Sequence, residues 1–252
     1  MHLWLAILLI AAMGLILGLL GGGGSILTVP ILVYALGVEA HAAISLSLIL
    51  VGSTALVGAF LHQEAARVAW KDGLLFVCFG LPFNFLGASL SRHVSSKLLL
   101  LLFGVLMGIA GSAMLYKRSE PKSTDKLNIW PVVAAGAVVG FLAGFLGVGG
   151  GFMVVPSLVL FLRIPIKSAT GTSLLVIALN SALALIGHRH TLKVDWLLLF
   201  EFVIPALLTT YLGVKLTEHL SAHQLRRVFG IFVILFGVVM VATNLAGLIF
   251  RH

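Results

Sequence analysis

The sequence predicts an all-α polytopic membrane protein made of two tandem repeats with glycine-broken helices. Three observations predict it: a shortage of charge, apolar runs of spanning length, and a register in which the second half answers the first. Of 252 residues, 60% are hydrophobic and only 10% charged, where a soluble domain carries about 25% charged residues. The apolar residues fall in runs at 3–20, 42–61, 73–91, 98–116, 130–146, 170–187, 196–214 and 228–250. Each can supply roughly the 17–25 residues that a spanning helix needs. Run 3–20 stands where a signal peptide would, but no Lys or Arg precedes it and a similar stretch recurs at 130–147. It is therefore expected to stay in the mature protein.

The register is a shift of 126 positions without a gap. It carries Gly14 onto Gly140, Gly18 onto Gly144, Gly21 onto Gly147, Pro30 onto Pro156, His62 onto His188, Trp70 onto Trp196, Gly87 onto Gly213 and Gly104 onto Gly230. Matches at Gly, Pro, Trp and His are hard to obtain by chance in so apolar a chain. The predicted domains are a first transmembrane repeat at 1–116, a polar linker at 117–128 (KRSEPKSTDKLN) and a second repeat at 129–252. Each half reads as one long helix, a Gly-rich break, a short apolar segment and three more long helices. That makes about eight long spanning helices and two short segments, 25–37 and 151–162. At 1.5 Å per residue a short segment rises roughly 20 Å, less than a 30 Å hydrocarbon core. Each is either a half-helix or the far part of a broken one.

Loop charge orders these segments. The formal net charge is +8, with Lys and Arg in the gaps between apolar runs. No basic stripe with interleaved aromatics is present, so nucleic acid is not an expected partner; the lipid bilayer is. If every segment crosses, loops 62–72, 117–126, 163–167 and 215–227 hold 11 Lys and Arg against 5 on the other side. If the short segments dip in and return, the split is 9 against 7. The positive-inside rule prefers the first arrangement, with both termini outside and the linker inside. Five crossings per half is an odd number, so the halves are expected to be inverted, as in many secondary transporters. The lone Cys78 excludes an intrachain disulfide and a Cys-based metal site; inside an apolar run it reads as a small buried hydrophobe.

The breaks read GGGGSILTVP at 21–30 and GVGGGFMVVP at 147–156. Consecutive glycines unwind a helix, since each costs about 1 kcal/mol relative to Ala. Irregular backbone at membrane depth is tolerated only inside protein or along a wet cavity. Free N–H groups at a following helix start suit an anion. Inversion would bring two such breaks near the midplane. Gly14, Gly18, Gly140 and Gly144 instead fit close helix packing in the small-xxx-small manner.

These blocks, with Ala-Thr-Gly-Thr-Ser at 169–173 and Gly-His followed by Val-Asp-Trp at 187–196, resemble the TauE/SafE family, also called sulfite exporters or the toluene-sulfonate uptake permease family. The resemblance covers essentially the whole chain. It implies transport of small sulfur-containing anions such as sulfite or organosulfonates. The first half departs from the pattern, with Ala43-Ile-Ser-Leu-Ser47 where the second half has ATGTS; only Ala43 and Ser47 match.

Polar residues inside apolar runs complete the candidate site. The backbone of Gly21, Gly22, Gly23, Gly24 and Ser25, and of Gly147, Gly149, Gly150 and Gly151, would bind the anion. Ser47, Thr54, Thr172, Ser173 and Asn180 would complete it, Asn180 first because a buried amide is costlier to leave idle than a hydroxyl. Glu201, the one acid well inside an apolar run, would either carry a coupling proton or sit near the interface beside Trp196. His62, His93, His188, His190 and His219 flank loops and read as helix-end anchors. No HExxH, CxxC, phosphate loop or nucleophile elbow is present, so neither an enzyme nor a cofactor nor a metal is expected. The reading is a secondary transporter of a small anion in the bacterial inner membrane, working by alternating access; a homodimer is allowed but not required. An anion channel, a non-transporting membrane assembly factor and an intramembrane enzyme are the rival readings.

Overall fold

The computed structural model describes residues 2–64, 68–91, 93–116, 129–146, 151–187 and 195–249. The predicted linker 117–128, Gly147, Gly149, Gly150, His188 and His190 lie outside them. Among the described residues the structure is helical, with no strand. The helices are α1 (His2–Leu20), α2 (Ser25–Pro30), α3 (Ala40–Glu64), α4 (Trp70–Ser91), α5 (Ser96–Tyr116), α6 (Ile129–Leu146), α7 (Gly151–Leu160), α8 (Ile166–Gly187), α9 (Trp196–His219) and α10 (Ala222–Ile249). A π-helical turn, Ile31–Ala35, continues α2. Seven of the described helices are long and apolar enough to cross a membrane; Trp4–Leu20 of α1 and all of α7 are shorter apolar helices. The chain is a polytopic membrane protein.

Two compact units form, and each draws on both halves of the sequence. One holds Met1–Leu74 and Lys167–Ser221, the other Leu75–Ile166 and Ala222–His252. Apolar area gives helices in lipid no reason to associate, so close backbone approach at small residues must supply it. In the first unit Gly14 faces Ala206 and Thr209, Gly18 faces Thr210, and Gly213 faces Leu15 and Leu19. Contacts that advance together along both chains mean that α1 and α9 run parallel. Thr210 donates to the Gly14 carbonyl at 3.1 Å and Thr217 to the Leu19 carbonyl at 3.3 Å. In the same unit α3 and α8 run antiparallel, with Gly52 against Ser181 and Gly58 against Leu174.

Within the second unit Gly140 faces Gly80, Gly144 faces Asn84, and Gly87 faces Phe141 and Phe145, so α6 and α4 also run parallel. Each of these pairs is the α1–α9 pair displaced by 126 positions in opposite senses on the two helices. Gly104 against Gly237 and Gly111 against Gly230 make α5 and α10 antiparallel, and the same displacement carries either contact onto the other. Phe152 of α7 meets Phe103 of α5 edge-on at 5.0 Å. Cys78 is exposed on α4, which corrects its expected burial: α4 turns the neighbouring Phe76, Val77 and Gly80 inward and Cys78 outward.

The two short segments end alike. Gly37 has φ +68° and Arg163, 126 positions on, has φ +57°. Val38 N–H donates to the Leu32 carbonyl and Ile164 N–H to the Leu158 carbonyl, both at 3.1 Å. Glycine adopts the left-handed region freely, whereas an L side chain there costs roughly 1–2 kcal/mol. Arg163→Gly is therefore expected to raise stability by about 1 kcal/mol, read as a higher melting temperature in detergent; an unchanged or lower value counts against strain at this turn.

Candidate functional site

The first glycine break is the turn of a helical hairpin. Gly21 N–H donates to the Leu17 carbonyl at 2.8 Å, and Gly21 then takes φ +73°, which ends α1. Three residues later Gly24 lies against the Met13 carbonyl and Leu17. The chain has reversed, and α2 and the π-helical turn both pack back along α1. Gly24 thus sits three to seven residues before the end of α1, or roughly 5–10 Å in from that end at 1.5 Å per residue. The described break therefore lies beside the last two turns of α1. Helix α1 precedes it, and the glycines fold back along α1 from there.

Residues 21–24 are all buried. Among the described residues, no carbonyl or side-chain oxygen accepts from the amides of Gly22, Gly23 or Gly24, while Leu27 N–H reaches the Gly24 carbonyl at 3.1 Å. Ser25 Oγ donates to the Gly22 carbonyl at 2.8 Å. Three consecutive buried donors thus find no acceptor among the described residues, and a buried N–H without an acceptor is uncommon.

The ATGTS stretch is the wall of this break. Thr170, Thr172 and Ser173 are fully buried. Ser173 Oγ–H lies within reach of two carbonyls, in close contact with Gly21 and at 3.1 Å from Thr170. It has one proton, so it serves one of them at a time. A Cβ on Gly21 would stand 2.6 Å from the Thr170 oxygen and 2.7 Å from Ser173 Oγ. Thr172 Oγ1 donates to the Ser168 carbonyl at 2.7 Å and accepts from Ala69 N–H at 2.9 Å. It holds the segment that leads into α4 against α8.

The other predicted residues lie apart from this contact. Ser47 Oγ serves the Ile44 carbonyl at 2.8 Å, and buried Thr54 serves Leu50 at 2.7 Å; both satisfy their own helix. Asn180 is half-buried on α8, in the turn that holds Ser181 against Gly52 of α3. Gly151 opens α7 and is buried. Glu201 is exposed on the α9 face that also shows Leu197, Ile204 and Leu208, away from the buried face formed by Phe202, Ala206 and Thr210. Asp195 caps α9, accepting from Leu197 N–H at 3.1 Å and Leu198 N–H at 3.2 Å. This accounts for the acid in the Val-Asp-Trp motif.

His62 corrects the sequence reading. It is fully buried, so it is no interface anchor; His93 and His219 are exposed. The signal was available: Val51, Ala55, Ala59 and His62 recur at helical spacing, and all four are buried. Among the described residues, the buried polar side chains are Ser, Thr and this one His, with no buried Asp, Glu, Lys or Arg.

Residues 6–240 match the sequence profile of the family described as "Sulfite exporter TauE/SafE". The chain belongs to the TauE/SafE sulfite exporter family. A "Probable membrane transporter protein" of Xylella fastidiosa (strain 9a5c) is 36% identical to it over 245 residues, 94% of each chain. One of Bacillus subtilis (strain 168), YunE, is 27% identical over 263 residues, 92% of this chain and 96% of that one. One of Methanocaldococcus jannaschii, MJ0441, is 27% identical over 240 residues, 86% and 89%. No solved structure matches the chain. As a TauE/SafE protein it is a multi-pass membrane transporter.

Proposed function

We propose that this TauE/SafE protein carries a small sulfur-containing anion, sulfite or an organosulfonate, across the bacterial inner membrane by alternating access. The anion rests on the backbone amides of residues 21–25, with residues 147–151 as their counterpart in the second half. The observation that carries this is the row of buried amides at Gly22, Gly23 and Gly24 with no protein acceptor among the described residues. A sulfonate or sulfite presents three oxygens to such donors, and hydrogen bonds to a charged acceptor are roughly twice as strong as neutral ones. The fully buried Ser173 hydroxyl turns from a carbonyl to the anion without leaving its place.

Inverted halves suit alternating access, and helix directions support that reading. Helices α3 and α8 occupy equivalent places in the register and run antiparallel in one unit; α5 and α10 do the same in the other. Equivalent helices of a non-inverted repeat would run parallel. The return of α2 along α1 is a chain reversal of the kind that an odd number of passes per half requires.

Uptake into proteoliposomes tests the substrate. Saturable uptake of labelled sulfite or an organosulfonate is expected, at a turnover far below that of a channel. Ser173→Ala is expected to raise KM about 5–30-fold, the equivalent of 1–2 kcal/mol for one hydroxyl donor, in a protein that still folds. If the wild type moves no sulfur oxyanion under any imposed gradient, the assignment fails.

A further inference from the structure

We propose that His62 carries a proton across with the anion. This rests on the anion site described above. In the first unit, six residues along α3 from Gly52 to Gly58 correspond to seven residues back along α8, from Ser181 to Leu174. One further turn sets His62 level with Thr170, the residue that Gly21 touches. The imidazole therefore lies in the same layer as the glycine break, on the core-facing stripe of α3 with Ala55 and Ala59.

A bare anion in a low-dielectric layer is costly unless an opposite charge accompanies it. Among the described residues, His62 is the one buried side chain able to become cationic. Among the described side chains, the charged groups at this end of the unit are exposed or half-buried. On α9, Lys215 and Glu218 are exposed; on α4, Lys71 is exposed and Asp72 half-buried; on α8, half-buried Lys167 turns its amine to the Glu218 carbonyl at 3.3 Å. The described parts of α1 and α2 contribute no charged group to the layer. Anion entry with one proton onto the ring keeps the layer neutral; release of both on the far side restores the neutral imidazole. Transport of a monoanion is then electroneutral co-movement with one proton.

The test uses the full chain in proteoliposomes with a pH dye in the lumen and isethionate as the probe. A sulfonate stays ionised throughout, so any proton that enters with it is carried by protein. Expected for the wild type is luminal acidification that saturates with isethionate and an uptake rate at least 5-fold higher under an inward proton gradient. In His62→Gln, residual uptake is slower, and both the protons that enter per isethionate and the gradient stimulation fall at least 5-fold. His62→Asn, with melting curves of both variants, separates lost coupling from lost fold. Wild-type uptake without acidification, or a folded Gln variant that acidifies the lumen like the wild type, overturns the role of His62 and leaves the anion site standing. A wild type that moves no sulfonate removes the substrate assignment and the coupling together.

Discussion

Gly21→Ala is expected to abolish uptake and to destabilise the protein by about 2–5 kcal/mol. Two costs add. The backbone at Gly21 holds φ +73°, where an L side chain costs roughly 1–2 kcal/mol. The new methyl would also stand 2.6 Å from the Thr170 carbonyl oxygen and 2.7 Å from Ser173 Oγ. The neighbour is partly backbone, so it does not yield by a rotamer change; overpacking of this kind costs typically 1–3 kcal/mol. Relief of either strain moves Gly22, Gly23 and Gly24, because α1 ends one residue before Gly21. Melting temperature and sulfonate uptake are the readouts, and a variant that equals the wild type in both contradicts this description of the break.

Gly18→Leu is expected to leave little folded protein. Gly18 lies against the Thr210 backbone, so a leucine side chain must push α9 away from α1. That separation breaks the Thr210–Gly14 and Thr217–Leu19 bonds, worth about 0.6 kcal/mol each in a membrane. Lost packing along Gly14, Gly18 and Gly213 adds more, for a total of about 3 kcal/mol or above. Gly144→Leu is expected to do the same in the other unit, where Gly144 lies against the Asn84 carbonyl. Gly108→Ala is the control: its Cβ meets nothing within 4 Å, and a mid-helix Gly to Ala exchange favours the helix by up to about 1 kcal/mol. The monodisperse fraction after detergent extraction reads all three. A Gly18→Leu protein as monodisperse as Gly108→Ala would show that the α1–α9 seam does not hold the unit together.

Much of this was legible in the sequence because its physics is local or periodic. Apolar run length located the helices, and glycine runs marked the end of α1 before the left-handed Gly21 was seen. Ser173 was legible as a polar residue in the helix after a break, and it does touch that break. The α1–α9 seam was half legible: Gly14 and Gly18 read as packing glycines, but nothing local to them names a partner some 196 positions away. The burial of His62 was misread for a related reason. A loop-flanking histidine looks like an anchor until the face of α3 that carries Ala55 and Ala59 is known to point inward.

Amide spectra of the glycines test the binding site most directly. The full chain in lipid nanodiscs, labelled at glycine nitrogen and assigned at Gly22, Gly23 and Gly24, is titrated with an organosulfonate that it transports. If these amides hold the anion, their proton resonances move downfield together and saturate at the concentration that half-saturates uptake, while Gly108 stays fixed. Saturable uptake with all three resonances unmoved would contradict the glycine break as the anion site.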